Sequence, residues 1–243
     1  MKSESANNAN DLSYMGSDPG AVKHGNFINY YKFHNVDQRI NNLHPEMLPK
    51  INSNEIYCLD IGCNTGELTK SLVVYLKTNY PNTNINILGI DIDPTLIQRA
   101  NETNNVPGIS YMTSNIMNET DRLDIHKYLE THGKQKFDII FCFSVTMWIH
   151  LNNGDDGLLE FLRYIKSLTK VIIIEPQPWN CYRNAQRRVK KSGSYFEHYE
   201  NLTIRGDVDK TIENILGEKP HTKVYESLYS SWNRKIKSFM MAL

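Results

Sequence analysis

Two short stretches carry residue types and spacings that can do chemistry. In Leu59-Asp60-Ile61-Gly62-Cys63-Asn64-Thr65-Gly66-Glu67-Leu68 an acid precedes two glycines four positions apart, at the point where an apolar run gives way to a helical pattern. Gly62 lets the chain turn sharply and lets a ligand approach the backbone. A dinucleotide loop would need G-x-G-x-x-G to wrap a pyrophosphate. Here the spacing is G-x-x-x-G; the missing middle glycine argues against a pyrophosphate, and an acid on the loop suits a cationic ligand. The second stretch, Leu88-Gly89-Ile90-Asp91-Ile92-Asp93, ends a further apolar run on a carboxylate. An acid at the tip of a strand can accept from both hydroxyls of a ribose.

Such residues need a scaffold that brings them to one edge. Ile56 to Ile61, Ile85 to Ile90, Ile109 to Met112, Phe137 to Val145 and Val171 to Ile174 are apolar runs of strand length. Between them, Leu68, Leu72, Val73 and Leu76 recur at helical spacing, as do Leu96, Ile97 and Ala100; Leu123, Ile125, Tyr128 and Leu129; and Leu158, Leu159, Leu162 and Ile165. Asp93-Pro94 reads as an N-cap followed by proline at the first helical position. Near-continuous apolar strands alternating with helices predict a parallel sheet covered on both faces, doubly wound by right-handed crossovers. Lys223 to Leu228 and Ile236 to Met241 are expected to pair as two further strands. Residues 1–23 are predicted to be a disordered polar tail, and 24–243 a single domain with an N-terminal lid segment over 24–50.

The loop at Asp60 and the acid at Asp91 resemble motifs I and II of the class I methyltransferases, which implies an α/β, Rossmann-like, doubly wound and mainly parallel seven-stranded sheet. The implied cofactor is S-adenosylmethionine, leaving as S-adenosylhomocysteine, with no metal. On that resemblance Asp60 orients the loop and favours the methionyl ammonium, with Gly62, Asn64 and Gly66 around the amino-acid part. Asp91 holds the ribose, Asn115 and Ile116 face the adenine, and Phe143 meets the sulfonium.

Further segments narrow the family. Gly25-Asn26-Phe27 with Tyr30, His34 and Gln38-Arg39, then Ser144-Val145-Thr146-Met147-Trp148-Ile149-His150-Leu151-Asn152, Glu175-Pro176-Gln177-Pro178-Trp179, Cys181-Tyr182-Arg183 and Ser231-Trp232 resemble the Bicoid-interacting-protein group of RNA 5′-phosphate methyltransferases. The nearest branch acts on RNA 5′-monophosphates, those of histidine transfer RNA and microRNA precursors. The resemblance implies that Arg39 joins the cofactor site from the N-terminal segment. The close relatives carry Asp at the position of Asn115, which keeps an acceptor oxygen and loses a charge, so cofactor affinity is the property expected to change.

A terminal phosphate monoester has its second pKa near ~6, so at neutral pH its oxygen is already a nucleophile. No strong general base is needed, and no Ser/His/Asp or Cys/His constellation is visible. Catalysis is then mainly alignment, with the oxygen ~3 Å from the methyl group. Tyr30, His34, His150, Gln177 and Arg183 are the expected phosphate donors. His150 reads equally as a satisfied histidine at the core edge. Tyr30 and Tyr31 read also as a lid. Trp179 reads as a packing residue against the sheet or as a platform for a terminal base.

Lys+Arg and Asp+Glu both number 27, so any nucleic-acid contact must come from a local patch. Arg183, Arg187, Arg188, Lys190 and Lys191 fall within nine residues and supply one, a stripe able to track a phosphate backbone. Arg234, Lys235 and Lys237 form a weaker cluster. Cys58, Cys63, Cys142 and Cys181 form no C-x-x-C pair, which disfavours zinc and suits the cytosol, or else the nucleus. No apolar run approaches a membrane span, and the polar N-terminus reads as no secretory signal. The expected partner is a small RNA with a 5′-phosphate, not DNA, met by a monomer. The competing readings are an RNA 5′-end binding protein with weak catalysis, and a methyltransferase on a protein or small-molecule acceptor.

Overall fold

The computed structural model describes residues 23–242; the tail expected over 1–23 lies, apart from Lys23, outside the described residues. The chain enters through two short helices, α1 (Tyr30–Phe33) and α2 (Val36–Asn41). It then alternates through β1 (Glu55–Ile61), α3 (Glu67–Asn79), β2 (Asn84–Asp91), α4 (Pro94–Thr103), β3 (Ile109–Thr113), α5 (Glu119–Thr131), β4 (Phe137–Phe143), α6 (Thr146–Leu168), β5 (Thr169–Glu175) and α7 (Trp179–Lys191). It closes with α8 (Val208–Leu216), β6 (His221–Glu226) and β7 (Lys237–Met241). The strands form one sheet in the order β3-β2-β1-β4-β5-β7-β6. β1 to β5 are parallel, and β7 runs antiparallel to both of its neighbours. This is the doubly wound, mainly parallel sheet expected of a class I methyltransferase.

Strand side chains alternate across the sheet, and both faces are apolar. Leu59, Ile61, Leu88, Ile90, Ile140 and Ile172 pack towards the long helix α6 and towards α5, α7 and α8. Cys58, Ile87, Ile139, Phe141, Val171 and Ile173 pack towards α3 and towards Leu43 and Met47 of the entry segment. Asp93 caps α4 as expected, accepting from Thr95 N at 2.8 Å with proline following.

Three departures from the sequence reading have local causes. β4 stops at Phe143 because Ser144 takes a left-handed φ of 60° and Val145 is already helical at φ −106°, ψ −37°. Met147 to Asn152 is helical, the opening turns of α6, which breaks at Gly154 (φ 71°, ψ −174°) before resuming. α8 was not anticipated, although Val208, Ile212 and Leu216 recur every four residues and are its buried face.

The order of strands reverses between β1 and β4: the chain first fills β2 and β3 on one side, then β4 and β5 on the other. Beyond the carboxyl ends of the strands at that reversal lies the crevice where open α/β sheets bind ligands.

Candidate cofactor and acceptor site

The crevice holds a cavity of about 310 Å³ whose lining includes Gly62, Asn64, Asp91, Asn115, Ile116 and Phe143. Gly62 stands at φ 75°, and a Cβ there would come 2.5 Å from Val145 Cγ2, so only glycine lets the loop cross the tip of β4. Asn64 is itself left-handed at φ 53°. Its backbone N–H donates to Asp91 Oδ2 at 2.9 Å, and Asp93 N–H donates to Asp91 Oδ1 at 3.0 Å. One backbone donor on each oxygen fixes the carboxylate in place. Lone pairs remain on both oxygens, enough for the two hydroxyls of a ribose.

The other two loop residues work from behind. Asp60 is buried and accepts from the Thr69 hydroxyl at 2.7 Å. It does not line the cavity; its hydrogen bond anchors the start of α3 to β1. Gly66 (φ 78°) lies under Tyr111, whose hydroxyl a side chain at 66 would strike. Asn115 reaches the cavity, but its Oδ1 accepts from Met117 N at 3.0 Å in a local turn, and its N–H donates to Asp121 at 2.6 Å. The adenine acceptor expected of this oxygen therefore has to be shared with the turn.

The N-terminal segment closes the cavity. Asn26 Nδ2 donates to Asp93 at 2.7 Å, Asn64 Nδ2 to Phe27 O at 3.0 Å, and Asn152 Nδ2 to Lys23 O at 2.8 Å. Phe27 meets Trp148 edge-on at 5.9 Å. Trp148, Asn152, Tyr195 and His198 complete the wall. The first two sit inside a segment already conspicuous in the sequence, but without a role, because no element is expected there from the sequence.

On the far side of Phe143, a buried polar knot ties four segments together. Arg39 of α2 donates through Nε to Glu175 Oε2 at 3.1 Å and through Nη2 to Glu175 Oε1 at 2.9 Å. The same Nη2 reaches Tyr30 Oη at 2.6 Å and Ser144 Oγ at 2.9 Å. Ser144 Oγ in turn donates to Glu175 at 2.6 Å. Arg234, from the β6–β7 connection, approaches Ser144 Oγ at 2.5 Å and Glu175 at 3.4 Å. Burial pushes the Glu175 carboxyl up, but Arg39, then Arg234 and Ser144, outweigh it and hold it below its ordinary value. Arg39 thus holds Tyr30 and Ser144 at the cavity wall and does not itself line it.

Of the five expected phosphate donors, Tyr30 lines the cavity and His34 stacks on it at 4.6 Å. The other three lie elsewhere. Gln177 is buried and clasps the turn after β4, donating to Ser144 O at 2.5 Å and accepting from Thr146 Oγ1 and Met147 N, each at 3.2 Å. His150 is fully buried, with its ring nitrogens against Tyr182 Oη at 3.1 Å and Asp155 at 2.7 Å; it is the satisfied core histidine and a strut between α6 and α7. Arg183 is exposed and bonded to Asn180 on its own helix. On α7, Arg183, Arg187, Lys190 and Lys191 face solvent, Lys190 lying 3.7 Å from Glu200. Arg188 turns inward, with its guanidinium 5.5 Å from the Phe27 ring. Trp179 is stacked between Tyr182 at 4.9 Å and Tyr199 at 5.7 Å, so the packing alternative holds. Among the described residues no group of three or more His, Cys, Asp or Glu could hold a metal ion.

Burial pushes the carboxyls of Asp60 and Asp91 up to about 6. The ionised form of Asp91 is the better acceptor for hydroxyls. The affinity for S-adenosylhomocysteine is therefore expected to be flat above about pH 7 and to fall as pH drops through about 6, approaching tenfold per unit below it. For the ligand-free fold the sign is opposite: raised acid pKa values favour the fold below about pH 4, and that contribution is lost as pH rises through about 6. Calorimetric titration and thermal melts across pH 4.5–8 check both; affinity that does not change with pH would rule out Asp91 as the ribose acceptor.

Comparison with known proteins gives the family and the fold. The family profile of Bicoid-interacting protein 3 (Bin3) matches residues 137–241, and a general methyltransferase domain profile matches 59–171. The chain is 39% identical over 247 residues to the pre-miRNA 5′-monophosphate methyltransferase of Xenopus laevis, covering 95% of this chain and 97% of that protein. It is 40% identical over 214 residues to the RNA 5′-monophosphate methyltransferase of Bos taurus, covering 82% and 73%. Among solved structures, the plantazolicin methyltransferase BpumL, in complex with a pentazolic desmethylPZN analogue and S-adenosylhomocysteine, superposes with a TM-score of 0.55 at 11% identity over 88% of this chain and 89% of that one. At that identity it speaks for the fold alone.

Proposed function

The chain belongs to the Bicoid-interacting protein 3 family of methyltransferases, and from that premise we propose that it methylates the 5′-monophosphate of a small RNA, using S-adenosylmethionine. The observation that carries the choice of acceptor is the charge of the knot beside Phe143. Two guanidiniums, Arg39 and Arg234, share the single carboxylate of Glu175, so the knot itself bears one net positive charge. A neutral or cationic acceptor gains nothing from that; a phosphate does.

When bound, S-adenosylmethionine supplies a methyl group made electrophilic by the sulfonium. The chain's residues do the rest. Asp91 takes the ribose hydroxyls, and the turn at Gly62 brings backbone to the amino-acid part. Tyr30 Oη accepts from Arg39, so its own proton is free to donate towards an acceptor oxygen. A phosphate dianion needs no proton removed, which matches a site where the imidazole stacked on Tyr30, that of His34, is held neutral. Burial first, then Arg234 and Arg39, bring its pKa down to about 4. The transfer then rests on alignment of oxygen and methyl.

The outward stripe of α7 is the proposed track for the RNA backbone. MicroRNA precursors are the RNA class that the relatives' names give; histidine transfer RNA is proposed from the sequence resemblance alone. A cytoplasmic monomer is the proposed working form, a setting consistent with four cysteines that all stand as free thiols. The deciding experiment is methyl transfer to one RNA hairpin prepared with 5′-hydroxyl, 5′-monophosphate and 5′-triphosphate ends. Label is expected on the monophosphate and none on the hydroxyl; equal incorporation into the hydroxyl form would send the assignment to a different acceptor group.

A further inference from the structure

We propose that Arg234 and Trp232, on the β6–β7 connection, form the seat of the terminal phosphate, facing Tyr30 across it. The inference rests on the reading of the acceptor as a 5′-phosphate and names the residues that grip it.

The first observation is a coincidence of unsatisfied buried polar atoms. Among the described residues, Trp232 Nε1, Arg234 Nε and His34 Nδ1 are buried with no hydrogen-bond partner. Buried polar atoms are almost always paired, and an orphan calls for a ligand or another explanation. The indole and guanidinium N–H groups can only donate, so whatever completes them is an acceptor.

These atoms belong to one corner. His34 meets Trp232 edge-on at 5.2 Å, and the Arg39 guanidinium lies 5.4 Å from the Trp232 ring and 5.8 Å from Phe143. Arg234 shares Ser144 Oγ with Arg39, and both Ser144 and Phe143 line the cofactor cavity. The orphan atoms therefore sit one residue behind the wall that the sulfonium must face.

The second observation concerns which arginine is committed. Arg39 is bidentate on Glu175 and buried to 1%. Arg234 holds Glu175 only at 3.4 Å, touches Cys181 Sγ at 3.6 Å and is exposed to 9%. Its Nε edge is the unpaired one. Arg39 thus neutralises the carboxylate, and Arg234 is the surplus cation. The connection that carries it is braced: Ser231 Oγ donates to Gln38 at 2.7 Å, and Arg234 N–H donates to Ser230 Oγ at 3.1 Å. One charged and two neutral donors hold a dianion without quenching the oxygen that must attack.

The test measures binding of one RNA hairpin, with a 5′-phosphate or a 5′-hydroxyl, to the wild-type chain and to Arg234→Gln, Arg234→Lys and Trp232→Phe. Titration with S-adenosylhomocysteine reports whether each variant is folded. The wild type should prefer the phosphate end. Arg234→Gln should cut that preference by about 10- to 100-fold, Trp232→Phe by about tenfold, and Arg234→Lys should retain part of it. Hydroxyl-end RNA and S-adenosylhomocysteine should bind as before. A preference untouched in Arg234→Gln and Trp232→Phe, or affinity lost equally for both ends, would overturn the seat. No preference in the wild type would instead overturn the 5′-phosphate reading beneath it.

Discussion

Glu175→Ala is expected to lower the melting temperature by roughly 6–20 °C, the largest effect of any single substitution in the site. Glu175 is exposed to 1% and is bonded to Arg39, Ser144 and Arg234. Removing one partner of a buried ion pair costs about 3–5 kcal/mol, because the remaining charge keeps its desolvation cost without its counter-ion. Here two guanidiniums would be left. At the size of this chain, each kcal/mol moves the midpoint by about 2–4 °C. Glu175→Gln, which keeps the shape and some acceptor capacity, should fall between the two. A thermal melt reads the result directly, and a midpoint within 2 °C of wild type would mean that the knot does not hold α2 to the sheet. A double-mutant cycle with Arg39→Ala should show strong non-additivity, since the first substitution already breaks the pair.

For Asp91→Ala, the expected result is loss of S-adenosylhomocysteine affinity by about 100-fold or more. Hydrogen bonds to a charged group contribute about 1.5–3 kcal/mol each, and two ribose hydroxyls supply two of them, at 1.4 kcal/mol per decade of affinity. Asp91→Asn should be nearly as damaging. Both carboxylate oxygens already accept backbone N–H groups from Asn64 and Asp93, so an amide would point its NH₂ at a donor. Asn115→Ala should cost far less, because the Asn115 oxygen is already engaged with Met117. Calorimetry at pH 7.5 orders the three, and an Asp91 variant within threefold of wild type would remove the ribose assignment.

The parts of the site that were legible in the sequence are those that adjacent residues build. β1, β2, β4 and β5 are legible as near-continuous apolar runs because both faces of the sheet are covered. Gly62, Asn64 and Asp91 were legible because a strand end followed by glycine, or by an acid, is a local pattern. Glu175 and Arg39 are 136 positions apart, and nothing in either neighbourhood specifies the other. His150 and Gln177 looked like phosphate donors because their types suit the task. Whether a polar side chain meets ligand or backbone is decided by packing, and each had a backbone or side-chain partner waiting. The opening turns of α6 were hidden by following an apolar strand directly and by breaking at Gly154. Arg234 was visible only as one charge in a weak basic cluster, and what singles it out is the carboxylate it is short of.

The knot at Ser144 joins residues 39, 144, 175 and 234, whereas the lining of the methyl-donor cavity ends at His198, before the last hairpin. Contacts of long sequence separation form late and at an entropic cost, and domains emerge from the ribosome N-terminal end first. During synthesis the donor half can therefore take shape while the phosphate-facing half is still missing its final arginine. A nascent chain paused before the last hairpin would then carry every residue that lines its cofactor cavity and have nowhere to put an RNA end.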